Sequence, residues 1–393
     1  MNAMIYLDHA ATTPVHPDVA REMAPWMSEF FGNPSSLYAL GQKSKQGIDA
    51  ARAQVATLLG AKPDDVYFTS GGSESDNWAL KGSFFALREK GKHIITSTLE
   101  HHAVLETCDE LKKMGAEITL VPVDSTGLVD PDDVKKAIRP GTILISIMHA
   151  NNEIGTIEPV AEIGKIAKKA GVAFHVDAVQ TVGHFPVNVD AMNVDMLSLS
   201  AHKLYGPKGV GAMFIRKGVK IRNLIHGGGQ ERKRRAGTQN VPGIVGLGKA
   251  AELARLGLEQ EMPREAALRD KLRQLIEATI PDVMLNGHPT QRLANNLNMS
   301  FAGVEGEAMV LRLDHEGICA STGSACTTGS LEPSHVLMAI GLKHEQAHGS
   351  LRLTFGRSNE MEHVEKAAAT LARIVKTLRD MSPTYVPGKM TIE

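Results

Sequence analysis

The sequence of 393 residues contains only three cysteines, Cys108, Cys319 and Cys326, and no C-x-x-C pair. So few, and an odd number, excludes a disulfide framework and a thiolate zinc site, which leaves a special cysteine as a reagent. Charge of one sign is equally lacking: 43 Lys and Arg stand against 44 Asp and Glu. No global field therefore favours nucleic acid or an acidic membrane surface, and the expected partner is a small molecule. No apolar run approaches the length of a membrane span, and the opening M-N-A-M-I-Y-L-D-H has no basic segment followed by an apolar one. A cytoplasmic protein is expected, with no membrane and no nucleic acid among its partners. Aromatic residues make up only 4%, whereas apolar residues reach 42% and are mostly aliphatic, as in an α/β protein large enough for two or three domains.

The stretch Ser198 to Gly209, S-L-S-A-H-K-L-Y-G-P-K-G, organises the rest. It sets Ser200, His202 and Lys203 where an apolar strand gives way to a Gly/Pro turn. A lysine there suits imine chemistry, because a desolvated amine loses its proton more easily. Upstream, F-H-V-D-A-V-Q ends a second buried strand at Asp177, with Gln180 three residues on. A lysine imine with an aspartate under a ring nitrogen is the arrangement of pyridoxal 5'-phosphate enzymes. Each residue alone has a plainer reading, a solvated turn lysine and a turn-forming aspartate, so the argument rests on the cofactor's other needs.

Those needs recur at other strand ends. Val66 to Thr69 reads as a strand turning through Ser70-Gly71-Gly72-Ser73-Glu74 into a helix, a phosphate cup in which Ser73 can cap the helix. His93 to Ser97 leads to Glu100-His101-His102, where His101 can stack on a planar ring or move a proton, or simply be a hydrogen-bonded histidine. The strand from Thr142 delivers Asn152, a partner for a phenolic oxygen or a turn former. Asn33 lies in the turn G-N-P-S-S, and Arg352 in an alternating strand where it can grip a carboxylate or pair with an acid. The alternation of strand and helix from 66 to 176 predicts a mainly parallel, doubly wound sheet with its ligand at the strands' carboxyl ends. His226 to Thr238 reads as a flexible glycine loop with a basic run, Arg232 to Arg235, predicted to bind an anion or contact a subunit. From Val241 to about Ile280 the chain reads as helical, and the composition shifts to charged, amphipathic helices. The predicted division is a large domain, 15–257, and a smaller α+β domain of 1–14 and 258–393. Cys326 sits in S-T-G-S-A-C-T-T-G-S, a polar, glycine-bracketed setting unlike that of a structural cysteine.

Taken together, Y-L-D-H-A-A-T-T-P, S-G-G-S-E-S-D-N, E-H-H-A-V, H-A-N-N-E-I-G, H-V-D-A-V-Q, S-A-H-K-L-Y-G-P-K-G, H-G-G-G-Q-E and G-S-A-C-T-T-G-S-L-E-P-S-H-V-L resemble the cysteine desulfurases of the nitrogen-fixation and iron–sulfur assembly type. These are fold-type I pyridoxal phosphate enzymes of the class V aminotransferase superfamily. The resemblance runs from Met4 to about Pro383. It implies that Lys203 carries pyridoxal 5'-phosphate as an imine, Asp177 pairs with the ring nitrogen, and His101 stacks on the ring and shuttles protons. Gln180 and Asn152 would meet the phenolic-oxygen side and the substrate. Gly72, Ser73, Ser200 and His202 would hold the phosphate, with Thr238 supplied by the neighbouring subunit of a homodimer. Arg352 and Asn33 would bind the carboxylate of L-cysteine. Cys326 would take its sulfur as a persulfide and pass it to an iron–sulfur scaffold or other acceptor. No resident metal is implied, Cys326 being at most a transient cluster ligand. Gly72 and Ser73 stand where many relatives carry alanine and threonine. The C-terminal L-R-D-M-S-P-T-Y-V-P-G-K is similar to the nitrogen-fixation subgroup. The rival readings are another class V aminotransferase or lyase, selenocysteine lyase included, with Cys326 incidental, and a nucleic-acid-binding protein using Arg232 to Arg235.

Overall fold

The computed structural model describes residues 4–323, 333–382 and 385–388. A short strand, Ile5–Tyr6 (β1), opens the chain, and helices Pro17–Met23 (α1), Pro25–Ser28 (α2) and Ala39–Leu59 (α3) follow. Gly60 ends α3 with φ at 65°, a left-handed cap that glycine adopts without strain. Strands then alternate with helices: Val66–Thr69 (β2), Gly72–Leu87 (α4), His93–Ser97 (β3), His102–Lys113 (α5), Glu117–Val121 (β4), Pro131–Ala137 (α6), Thr142–Ser146 (β5), Val160–Ala170 (α7) and Ala173–Asp177 (β6). Met196–Ser200 (β7) and Gly211–Ile215 (β8) complete a seven-stranded sheet of order β2-β8-β7-β6-β5-β3-β4. From β4 to β7 every pairing is parallel. β8 alone runs antiparallel to both its neighbours. The stretch 201–210, which carries Lys203, is too short for a helical crossover, so the chain must turn straight back. β3, β7 and β8 are buried at every residue, as expected for strands covered on both faces.

Beyond the sheet, Gly229–Gln230 (β9) pairs with Arg235–Ala236 (β10), and a helix of 39 residues, Val241–Thr279 (α8), begins. Its first half buries Ile244, Leu247 and Ala250 in the core under the large sheet; its second half buries Leu268, Leu272 and Ile276 in a separate core. That second core is built by Val283–Leu285 (β11), Asn296–Phe301 (β12), Gly306–His315 (α9), Ile318–Cys319 (β13), Ser350–Thr354 (β14) and Met361–Met381 (α12), whereas His335–Ala339 (α10) and His344–His348 (α11) pack Val336, Leu337 and Ala347 against Leu99, Met148 and Ile154. β11, β12 and β14 form an antiparallel sheet, and β13 pairs in parallel with β1. Ile5 and Leu7 therefore share a core with residues 268–375. Among the described residues no helix is long and apolar enough to cross a membrane.

Candidate active site

A cavity of about 210 Å³ opens at the carboxyl ends of β2, β3, β5, β6 and β7. Lys203, Asp177, His101, Gln180, Asn152 and Arg352 all line it. So do Gly72, Ser73, Ser200 and His202, the candidates for a phosphate. Residues from Gly72 to Lys203 thus meet because strands end at one edge of the large sheet, while Arg352 reaches the cavity from β14 of the second sheet.

Two of the expected residues lie elsewhere, and a third is not among those described. Asn33 is exposed, its side-chain oxygen accepting from the Ser35 amide at 3.0 Å, and Thr238 is exposed on the loop after β10; neither lines the cavity. Cys326 lies outside the described residues. Ser73 does not cap α4: the N-cap is Gly71, with no side-chain cap, and Ser73 falls in the first turn. The reason is backbone geometry, since Gly71 takes φ 156° and ψ −175°, a region closed to side chains, and that bend moves the cap from Ser73 back to Gly71. A Cβ on Gly72 would come within 2.7 Å of a methyl of Val179, which also lines the cavity.

The lysine is held by backbone. Its Nζ donates to the Ala10 and Ala11 carbonyls, the latter at 2.8 Å, and its own carbonyl meets Nε2 of His184 at 2.7 Å. Gln180 donates to the Ala10 carbonyl at 3.1 Å, and His202 Nδ1 lies 3.1 Å from the Thr12 hydroxyl. Asp177 accepts from the Val179 amide at 2.9 Å; burial pushes its carboxyl up to about 6, against the pull of that amide and of Lys203. His101 is lowered to about 4, by burial and then by Lys203, so its imidazole is neutral at neutral pH. Its Nδ1 accepts from the Ala103 amide at 3.1 Å and caps α5, which leaves Nε2 for other work. Arg352, 1% exposed, donates to Asp8 at 2.9 Å and to the Asn152 carbonyl at 3.0 Å, while its Nε has no partner.

Sequence reasoning missed the N-terminal contribution. The segment D-H-A-A-T-T-P packs Ala10 and Ala11 against Lys203, Thr12 against His202 and Asp8 against Arg352, contacts that only the fold brings about. It missed Asp76 as well, which lines the cavity from the second turn of α4. The S-G-G-S-E-S-D-N motif contained it, but nothing local marks an aspartate inside a helix as inward-facing.

The loop 226–238 is anchored rather than loose. Glu231 is 4% exposed and receives both Arg52 guanidinium nitrogens, at 2.7 and 3.0 Å, as well as the Phe68 amide. Arg235 forks onto Glu74 at 2.9 and 3.0 Å, and Arg232 stacks on Tyr67. With Arg234 donating to the Ile221 carbonyl at 3.4 Å, three cations of the basic run are thus engaged within the chain.

The residues fit a pyridoxal phosphate group. The cavity combines an ammonium, a buried carboxyl, a neutral imidazole and a glycine turn at the N-terminus of α4, where backbone amides favour a phosphate. Among the described residues no group of three or more His, Cys, Asp or Glu is arranged to hold a metal.

The chain is 58% identical over 382 residues to the cysteine desulfurase IscS of Methanosarcina thermophila, covering 97% of this chain and 94% of that one. It is 48% identical over 381 residues to a cysteine desulfurase of Nostoc sp. strain PCC 7120, covering 97% and 95%. A solved NifS-like protein superposes with a TM-score of 0.90 at 39% identity, covering 95% of this chain and all of that one. The structure of SspA in complex with cysteine gives 0.79, also at 39% identity, covering 89% and 98%. Residues 5–367 match the model of aminotransferase class-V, and the chain belongs to that family.

Proposed function

We propose that this chain is a cysteine desulfurase: it binds pyridoxal 5'-phosphate on Lys203, takes the sulfur of L-cysteine onto Cys326 and releases L-alanine. The single observation carrying this reading is the meeting of Lys203, Asp177, His101 and Arg352 in one cavity, in a chain whose relatives bear that name. The bound group would supply an electron sink for the pair left on Cα. The chain's own residues do the rest. Asp177 would pair with the ring nitrogen, Gln180 and Asn152 would hold the phenolic side, and Gly72, Ser73, Ser200 and His202 would receive the phosphate. The Arg352 guanidinium binds the substrate carboxylate, the amine of Lys203 takes the Cα proton, and the neutral imidazole of His101 carries protons. The Cys326 thiolate attacks the substrate sulfur; an S–S bond forms, the Cβ–S bond breaks with its electron pair returned to carbon, and that carbon takes a proton on the way to alanine.

An absorbance spectrum of the purified protein tests the cofactor: a yellow imine band, absent in Lys203→Ala, is expected. Cys326→Ser separates the desulfurase from an aminotransferase or other lyase. It should lose sulfide release and still change its spectrum when cysteine is added, whereas undiminished turnover would sink the persulfide route.

The homodimer belongs to the same reading. Phe31, Leu37 and Tyr38 are 70%, 93% and 61% exposed, beside the Ser35–Gln230 hydrogen bond that ties them to the loop of Thr238. Such side chains favour burial against a partner, and from there Thr238 and Asn33 would serve the partner's cavity. The two separate cores support the division at 257/258 within α8. The sulfur acceptor is proposed to be an iron–sulfur scaffold.

A further inference from the structure

Asp76 has no part in the chemistry above, yet it lines the cavity, is 1% exposed, and its Oδ1 has no hydrogen-bond partner. The strand pleat explains its surroundings. His175 and Asp177 share one face of β6, Ser198 and Ser200 one face of β7, and α4 lies over both. His175 is committed elsewhere: Nδ1 lies 2.9 Å from the Ser146 hydroxyl and Nε2 2.9 Å from that of Ser198. At 3.6 Å its Nε2 is too far to bond Oδ1 of Asp76. Burial lowers His175 to about 3, so it brings no cation. The groups facing Asp76 are Asp177, Glu100 and His175, with only the Ser198 hydroxyl favouring its ionised form. Asp177, 6% exposed, has the Val179 amide and Lys203. Two like charges at so dry a place cannot both persist.

We propose that Asp76 and Asp177 form a buried carboxyl pair at one end of the cavity, Asp76 keeping the proton and Asp177 carrying the charge. Asp76 is then a positioning residue: it decides where the single negative charge of the pair stands. The pairing itself needs no cofactor; its use, a charge fixed under a ring nitrogen, rests on the function proposed above.

The test is a carbon-13 titration of the apoprotein labelled at aspartate carboxyls. One resonance, assigned by its loss in Asp76→Asn, should stay protonated well above the ordinary aspartate midpoint of about 3.9. In Asp177→Asn that resonance should titrate at least one pH unit lower, a tenfold or greater fall in proton affinity, because its neighbour's charge is gone. An Asp76 resonance that titrates with ordinary aspartates, or that ignores Asp177→Asn, overturns the pairing. If Asp76→Asn does not fold, selective loss of the same resonance in Asp76→Glu assigns it. In the loaded protein, Asp177→Asn should keep part of the yellow band, since Asp76 can take up the charge, and the double variant should lose it; identical spectra for the two variants also overturn the proposal. A wild type with no yellow band would count against the cofactor reading and leave the apoprotein titration standing.

Discussion

The floor of the cavity and its surrounding loops are built differently. The floor rests on strand ends: Asp177 closes β6, Lys203 follows β7, His101 caps α5, and each is fixed by contacts within this chain. The loops carrying Asn33 and Thr238 stay exposed and apart from the cavity, although their base is pinned through Glu231, Arg52 and the Arg235–Glu74 fork. Glu231, Arg232 and Lys233 accept left-handed φ values of 46°, 56° and 67° there. Such strain persists only where the surroundings enforce it. A sheet edge presents chemistry inward by its own geometry, whereas a loop must be tied down to present it outward.

Substitutions can break or sharpen that contrast. The largest effect belongs to the floor: Lys203→Ala should lower alanine formation by about 10⁴-fold, the upper range for a lost proton-transfer group, with the fold kept, as judged by circular dichroism. Next comes the anchor of the loop. Arg52→Ala leaves the carboxylate of Glu231 buried without its partner and should cost about 3–5 kcal/mol in urea unfolding. A smaller cost would mean that the loop depends less on this pair than its geometry implies.

Below the floor, burial raises the Glu100 carboxyl to about 8. Between the unfolded value near 4.5 and that point the folded chain binds more protons than the unfolded one, so this group's contribution is full at acid pH and is lost as pH rises towards 8. Glu100→Gln should therefore gain on the wild type by a few kcal/mol between about pH 5 and pH 8; melting curves at the two pH values that stay parallel would refute a buried neutral Glu100. The smallest effect is expected at the outer loop. Thr238→Val should weaken cofactor binding by about tenfold, one hydrogen bond to a charged group. Mixed dimers with Lys203→Ala should place that loss in the partner's site; a loss confined to the same chain's site would contradict the partner role.

The strands were readable because their apolar runs are bounded by turn formers. β2 and β3 fall at the expected residues, 66–69 and 93–97. Lys203, Asp177 and His101 were legible for the same reason, each being a polar residue at the end of a buried run. The backbone carbonyls of Ala10 and Ala11 were not, because an acceptor without a side chain leaves no mark in the sequence. The start of α4 was misplaced because a capping serine, Ser73, and a bend-forming glycine, Gly71, lie in the same short turn, and only the φ of Gly71 chooses between them.

By itself the sequence determined which residue types stand at the ends of which strands, since hydrophobic periodicity and turn chemistry act over a few neighbours. Only the tertiary structure decided that Asp8 pairs with Arg352, that Ala10 faces Lys203, and that Asp76 and Asp177 border the same cavity. Those contacts depend on strand order and helix placement, which are set by how two cores close rather than by any local stretch of chain.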